Sequence, residues 1–184
     1  MLKSSANIKK HWETLCQEGK PEALQALFDH FHDDLYAYTT RLLNSSSLAK
    51  DAIQNTFADL WQYRNRLAQE TVVKAYLFRA TRNHAIKLLR KNRPTVNLED
   101  IAQQLHFEPE ELYLEEASLL QKQKITAILN TLSPRQREIL YLKFYDNLDY
   151  QEIAQVLEIN YQSVVNHAHK AIQRLRNNKE LRFF

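Results

Sequence analysis

Glycine is almost absent from this chain, and this absence limits the fold more than any other feature does. Among 184 residues there is one glycine, Gly19, whereas a soluble protein of this length ordinarily holds about thirteen. Walker phosphate-binding loops, dinucleotide-binding fingerprints and the Gly-x-Ser-x-Gly nucleophile elbow each need at least two glycines, so these classes of enzyme are excluded. Tight hairpins are also disfavoured, because their turns need residues with positive φ. The composition therefore favours helices joined by few sharp corners.

Apolar residues recur at steps of three and four along most of the chain, which predicts amphipathic helices. No alternating pattern competes with them. Ser133 and Gln136 flank Pro134 as a capping box would require, and Asp149 with Glu152 repeats that signal. The predicted fold class is all-α, with two small helical domains joined by an acidic linker. The predicted helices cover 21–45, 48–61, 71–90, 119–132, 134–145, 150–157 and 162–176.

Charge divides the chain into three segments. Residues 1–93 carry fifteen basic and nine acidic side chains, residues 94–120 carry seven acidic and no basic ones, and residues 121–184 have a net charge of +4. Such asymmetry indicates interaction surfaces, although surface charges that merely cluster would give the same pattern. We predict one domain over 1–93, an acidic linker over 94–117 and a second domain over 118–184.

The last two predicted helices have helix-turn-helix geometry, because a turn of three to four residues joins 150–157 to the helix that begins at Gln162. Polar side chains at the start of the second helix can reach base edges in a major groove, and basic ones near its end suit phosphates. A helical hairpin with a solvated polar face is the alternative. The candidate DNA-binding residues are Gln162, Ser163, Asn166, His167, Lys170 and Arg174.

Two earlier helices carry weaker signals. Basic residues crowd the helix over 72–92 next to Tyr76 and Phe78, as single-stranded nucleic acid requires, although a basic face over an aromatic core explains the pattern equally well. The segment 51–61 presents polar residues edged by Trp61, which suits either a protein interface or simple packing.

Nothing in the sequence forms a catalytic constellation. The seven histidines are scattered, and Cys16 is the single cysteine, so no metal site, cofactor or enzymatic activity is expected. No apolar run reaches the length of a signal peptide or a membrane span, and we expect a cytoplasmic protein.

Taken in this order, the three patterns resemble the bacterial sigma-70 family, and most of all its compact extracytoplasmic-function (ECF) branch, which keeps only the second and fourth sigma domains. The residues 51–57 with Leu60 and Trp61 resemble the core-polymerase-binding helix, and 75–83 resemble the promoter-melting helix that reads the −10 element. The residues 132–138, 152–154 and 163–164 resemble the −35-reading domain. The resemblance covers about residues 20–180.

The resemblance implies a sigma factor that binds core RNA polymerase and directs promoter-specific transcription initiation. It implies three partners: core polymerase, contacted at its β′ clamp helices and β flap, promoter DNA, and an anti-sigma factor at the membrane. It implies no small-molecule substrate. The implied core-polymerase-binding residues are Asp51, Gln54, Asn55, Phe57, Leu60 and Trp61, and the implied −10 residues are Tyr76, Arg79, Arg82, Asn83, Lys87 and Arg90.

Three departures from the family pattern concern single residues. Glu158 stands in the helix-turn-helix turn where the family often has glycine, Val165 where a basic residue is common, and Tyr76 where tryptophan is usual. Two other functions remain open on the residues alone. One is a dimeric helix-turn-helix regulator that acts without polymerase, and the other is a helical protein-interaction adaptor with no role on DNA.

Overall fold

A computed structural model of the chain describes residues 2–67, 71–92, 101–108 and 119–177. These residues contain no β-strand, which confirms the all-α prediction. The chain divides into two compact units, whose main parts are residues 1–96 and residues 97–154 with 158–184. The α-helices are α1 (Leu2–Glu18), α2 (Pro21–Leu43), α3 (Ser46–Tyr63), α4 (Val73–Asn92), α5 (Leu119–Asn130), α6 (Pro134–Phe144), α7 (Tyr150–Leu157) and α8 (Tyr161–Asn177), and Arg64–Arg66 and Ile101–Gln104 are short 3₁₀ helices.

The first unit is built on α2, α3 and α4, which pack on one another. Pro21 opens α2, where its missing N–H costs nothing, and Ser45 caps α3 by accepting a hydrogen bond from the Leu48 N–H at 3.3 Å. Each helix turns its apolar stripe inward. The buried residues of this core include Leu27, Leu35, Tyr38, Leu60, Leu77 and Phe78.

Helix α1 was not predicted from the sequence. Only a thin apolar stripe distinguishes it from a polar segment, yet Trp12 and Leu15 are completely buried. The Trp12 ring meets the Tyr76 ring edge-on, with 5.3 Å between their centres. Helix α1 therefore packs against α4. Its contribution to the core comes from a few large side chains rather than from a long periodic apolar stripe.

The second unit contains α5, α6, α8 and most of α7. Both predicted capping boxes are present: Ser133 and Gln136 exchange hydrogen bonds at the start of α6, and Asp149 and Glu152 do so at the start of α7. The turn after α7 is closed by the Ile159 N–H, which donates to the Ala154 carbonyl at 3.2 Å. The core residues include Ile139, Leu142, Ile153, Val164 and Ala168.

Part of the predicted acidic linker over 94–117 is folded. Residues 101–104 form a 3₁₀ helix that packs on α6, and Leu105 and Phe107 are buried. Of the seven acidic side chains in the predicted linker, only that of Glu108 belongs to the described residues. The rest of the predicted linker lies outside them.

The turns reveal how a chain with one glycine changes direction. Positive φ values occur at Gly19 (63°), Asn44 (48°), Asn147 (52°) and Glu158 (54°). Asparagine tolerates this left-handed conformation better than other residues with a side chain do, so the conformation carries a cost of about 1–2 kcal/mol at Glu158. The turn where the family often has glycine thus keeps the glycine-type backbone without the glycine.

We predict that Glu158→Gly stabilises the second unit by about 1 kcal/mol, because glycine adopts this φ without a clash. Urea unfolding would measure the change. The matched control is Gln151→Gly in the right-handed first turn of α7, which should destabilise by about 1 kcal/mol. An unchanged or lower stability of Glu158→Gly would show that the turn is not strained.

Candidate nucleic-acid interface

The outer face of α3 contains part of the predicted polymerase-binding set. Asp51, Gln54 and Asn55 are exposed there, three and four residues apart as neighbours on one side of a helix must be. Trp61 is half-buried, and the Arg64 guanidinium lies over its ring at 4.1 Å from the centre. Asp51, Gln54, Asn55 and Trp61 form a polar patch that ends in an aromatic side chain, and we call it the α3 patch.

Phe57 and Leu60 differ from the expectation of a surface role. They are only 7% and 1% exposed, because their side chains turn toward the interior of the first unit. The Phe57 ring packs edge-on against Phe28 of α2, with 5.0 Å between the ring centres. They belong to the core of the first unit and support the patch from within.

Helix α4 presents a continuous stripe toward the surface. Tyr76, Arg79, Asn83, Lys87 and Arg90 follow one another at steps of three and four residues, so they share one side of the helix over about 21 Å. Lys87 and Arg90 are exposed, and the other three are half-buried. The stripe begins with an aromatic ring and ends with cations, which is the combination that unstacked bases and phosphates need.

Arg82 was predicted to belong to this surface, but its residue is only 4% exposed. Its position, one residue before Asn83, turns it away from the α4 stripe and into the fold. Arginine with its aliphatic stem can line a core while its head meets polar partners. Arg82 therefore supports α4 rather than extending its surface.

The Tyr76 hydroxyl stays protonated in these surroundings. Burial raises its pKa, the carboxylate of Asp59 adds to the increase, and the cation of Arg79 opposes it. The Arg79 guanidinium also lies 5.9 Å from the centre of the Tyr76 ring. Tyr76 is thus a neutral ring with a hydroxyl that can donate a hydrogen bond.

A contact between α3 and α4 was missed by the sequence analysis. The Nε2 atom of His84 lies 3.1 Å from a carboxylate oxygen of Asp59. The two residues are twenty-five positions apart, so no local sequence pattern predicts their contact, and the packing of α3 against α4 brings them together. This pair ties the polar patch of α3 to the helix that carries the α4 stripe.

The second unit presents its own stripe on α8. Gln162, Asn166, Lys170 and Arg174 are all exposed and four residues apart, so they line one side of the helix over about 18 Å. The Gln162 amide donates to Oδ1 of Asn166 at 3.1 Å, which orients both amides. Amides at the start of the helix and cations toward its end match the division between base edges and phosphates.

Ser163 and His167 flank the α8 stripe and are half-buried. The Ser163 N–H donates to Oδ1 of Asn160 at 2.7 Å, so Asn160 caps α8 and fixes where the helix starts. Val164, Ala168 and Ala171 are buried on the opposite side of the helix. The sequence reading missed Asn160, although asparagine before a helix is a recognisable signal.

His167 lies in a positively charged environment. Burial lowers the pKa of its imidazole, and the nearby cations of Arg135 and Lys170 lower it further. Arg135, in the first turn of α6, also donates to the buried carboxylate of Glu138 at 3.2 Å. His167 is therefore neutral at pH 7, and its ring can both donate and accept a hydrogen bond.

The described parts of the chain hold no group of three or more His, Cys, Asp or Glu side chains that could bind a metal ion. Within those same parts, no helix combines the length and the apolar character needed to cross a membrane.

Comparison with protein families gives two matches in chain order. Residues 27–95 match the model of sigma-70 region 2, and residues 122–175 match the model of sigma-70, region 4. The first match contains the α3 patch and the α4 stripe, and the second contains α6, α7 and most of α8 with its stripe.

Curated proteins of similar sequence carry related names. RNA polymerase sigma factor SigZ of Bacillus subtilis is 28% identical over 141 residues, covering 75% of this chain and 76% of that protein. The ECF RNA polymerase sigma factors SigM and SigX of the same organism are each 23% identical. The SigM alignment covers 84% of this chain and 95% of that protein, and the SigX alignment covers 87% and 85%.

Two solved structures share the fold. CnrH, solved in complex with the cytosolic domain of CnrY, superposes with a TM-score of 0.63 at 18% identity, covering 91% of this chain and 94% of that one. The sigma factor RpoE of Bartonella quintana, in complex with the anti-sigma factor NepR, gives a TM-score of 0.59 at 21% identity, covering 86% and 97%.

We predict that the His167 imidazole titrates below pH 6.5, the ordinary value of its pKa. Because the folded-state pKa is depressed, the contribution of His167 to stability is complete above pH 6.5 and is lost as the pH falls through the unfolded and then the folded pKa. Proton NMR of the ring would give the midpoint. Arg135→Gln should move the midpoint upward, and a wild-type midpoint at or above 6.5 would contradict the assignment.

Proposed function

The chain belongs to the sigma-70 family, and from that premise we propose how its parts share the work of initiation. It is a sigma factor of the ECF type, which binds core RNA polymerase and directs promoter-specific transcription initiation. The observation that carries the proposal is the pair of stripes, one on α4 and one on α8. They lie in separate compact units, and each lies within a different matched sigma-70 region.

Each unit has its own task in this proposal. The domain over 1–93 binds the polymerase and reads the −10 element, the domain over 118–184 reads the −35 element, and the acidic segment over 94–117 joins them. This segment carries seven carboxylates and no Lys or Arg to neutralise them. Such a segment is repelled by DNA phosphates, which suits a connection that stays off the promoter and threads toward the active centre through a basic channel.

The polymerase-binding surface is the α3 patch, formed by Asp51, Gln54, Asn55 and Trp61. We assign it to the β′ clamp helices, because it combines exposed polar groups with one large aromatic side chain, a composition typical of protein interfaces. Phe57 and Leu60 serve it by fixing α3 against α2. The second domain meets the β flap.

The −10 element is engaged by the α4 stripe. Tyr76 supplies a ring face for an unstacked base, Arg79 and Asn83 reach polar edges, and Lys87 and Arg90 neutralise phosphates. Arg82 holds α4 in place from inside the fold. The stripe length of about 21 Å suits a short run of separated nucleotides rather than a full turn of duplex, which rises about 34 Å.

The −35 element is read by α8 in a major groove. Gln162, Ser163 and Asn166 lie at the start of the helix, where short polar side chains reach base edges, and neutral His167 lies beside them. Lys170 and Arg174 follow and contact phosphates. Each exposed cation that meets a phosphate adds to the salt dependence of binding.

We further propose an anti-sigma factor at the membrane as a regulatory partner, since the two solved structures described above are complexes, one with the cytosolic domain of CnrY and one with the anti-sigma factor NepR. The sigma factor acts in the cytoplasm, where promoter DNA and polymerase meet. It supplies recognition and melting while the polymerase supplies the chemistry, so it needs no cofactor, metal or small-molecule substrate and is not itself an enzyme.

The direct test is run-off transcription with purified core polymerase from the same source. The chain should produce defined transcripts only when core polymerase and a cognate promoter are both present. If the chain binds a palindromic site tightly without polymerase and adds no transcription to core polymerase, it is instead a stand-alone regulator. Failure to bind either DNA or polymerase would indicate a protein-interaction adaptor.

Asn83→Ala should weaken promoter opening at least several-fold while leaving core affinity unchanged, because Asn83 lies on the α4 stripe and away from the α3 patch. Permanganate reactivity of unpaired thymines measures opening, and a binding titration with core polymerase measures affinity. Equal losses in both assays would show that Asn83 holds the fold instead.

Lys170→Ala should weaken −35 binding and lower the dependence of log K on log salt by about 0.9, the contribution of one phosphate contact. The matched control is Lys124→Ala, which removes an exposed lysine of α5 in the same unit. An unchanged slope for Lys170→Ala, or an equal decrease for both variants, would remove Lys170 from the phosphate contacts.

A further inference from the structure

The segment over 101–108, which we call the latch, is the described part of the predicted linker, and it is packed as a core element is packed. Leu105 is 0% exposed, and Ala102 and Phe107 are each 2% exposed. The low charge of these eight residues suits their burial. Six of the seven acidic residues of the predicted linker flank it on both sides, and the latch itself carries only Glu108.

Asn130, the last residue of α5, holds the latch through its side-chain amide. The Phe107 N–H donates to Oδ1 of Asn130 at 3.0 Å, and Nδ2 of Asn130 donates to the Phe107 carbonyl at 3.1 Å. The amide thus satisfies both backbone groups of one residue, as a neighbouring β-strand would. Only an amide side chain offers a donor and an acceptor in this arrangement, which makes the contact specific to Asn130.

Arg137 of α6 adds a second anchor. Its guanidinium donates to the Gln103 carbonyl at 3.0 Å and to the Asn130 carbonyl at 2.8 Å, and the residue is 6% exposed. A buried guanidinium needs acceptors to offset its lost hydration, and the latch backbone supplies one of them. Arg137 therefore joins the latch to the end of α5.

The Phe107 ring completes the contact. Its centre lies 5.7 Å from that of Tyr145 and 6.2 Å from that of Tyr141, both on α6 or at its end. The two tyrosine rings stack in parallel with 4.9 Å between their centres. The Phe107 ring packs against this pair at a tilt, and its burial supplies the hydrophobic part of the attachment.

We propose that residues 101–108 form a latch that binds the second domain in cis and thereby shortens the chain that is free to span the two domains. When the latch is closed, eight residues, 93–100, separate it from the end of α4, and covalent geometry limits their span to about 30 Å. When it is open, twenty-six residues, 93–118, separate α4 from α5, and the limit rises to about 90 Å. The latch thus limits how far apart the −10-reading and −35-reading domains can bind. This biological consequence rests on the proposed function, whereas the docking of the latch can be measured independently of that function.

Amide hydrogen exchange of the full chain tests the latch directly, without polymerase or DNA. The Phe107 amide should exchange slowly in the wild type, because it is buried and donates to Asn130. Asn130→Ala should reduce its protection by about tenfold, as expected when two neutral hydrogen bonds are lost, while the amides of α6 and α8 keep theirs. The matched control, Gln123→Ala, removes an exposed amide from the same helix and should change neither.

Distance measurement tests the consequence for reach. Spin labels at Glu22→Cys and Lys124→Cys, both at exposed positions, with Cys16→Ser, report the separation of the two domains. Combining Asn130→Ala with Phe107→Ala should lengthen and broaden the distance distribution. Three results would overturn the proposal: rapid exchange of the wild-type Phe107 amide, joint loss of protection in α6 and α8 with Asn130→Ala, or an unchanged distance distribution in the double variant. Wild-type protein that passes these tests but fails run-off transcription would refute the proposed function and leave the latch standing.

Discussion

The orientation of the helices depends on how a nearly glycine-free chain turns where each helix ends. Among the residues that the structure describes, four with positive φ form corners, and three of them are not glycine: Asn44, Asn147 and Glu158. Asn44 turns α2 back onto α3, and Glu158 leads from α7 into α8. The strained corner at Glu158 lies three residues before α8, so the orientation of the helix that we propose reads the −35 element depends on a backbone conformation that a glutamate side chain disfavours.

The same helical geometry explains both stripes that we propose bind DNA. A step of three or four residues keeps polar side chains on one side, while the opposite side buries apolar residues against its neighbours. In α4 the outer stripe is braced by Trp12 behind Tyr76 and by the pairing of His84 with Asp59. In α8 the Asn160 cap fixes where the stripe begins. Rigid helices thus place flexible cations at defined spacings, which is what recognition of a regularly repeating polymer requires.

Local chemistry made part of this structure predictable. The capping boxes at Ser133 and Asp149 and the exposed residues of α8 follow from residue type and spacing alone. The sidedness of Phe57, Leu60 and Arg82 did not, because motif resemblance identifies a helix without saying which side packs inward. Helix α1 was missed because its burial rests on two large residues. The docking of Phe107 on Asn130 spans twenty-three positions, and such a contact is formed by tertiary packing rather than by any local pattern.

In the proposed function, two separate domains read two separate promoter elements. Hydroxyl-radical footprinting of the complex with core polymerase should therefore show two distinct protected patches, at −10 and −35, with the upstream patch alone weakened when the exposed cations of α8 are removed. A single palindromic footprint that forms without polymerase, or loss of both patches together, would contradict it.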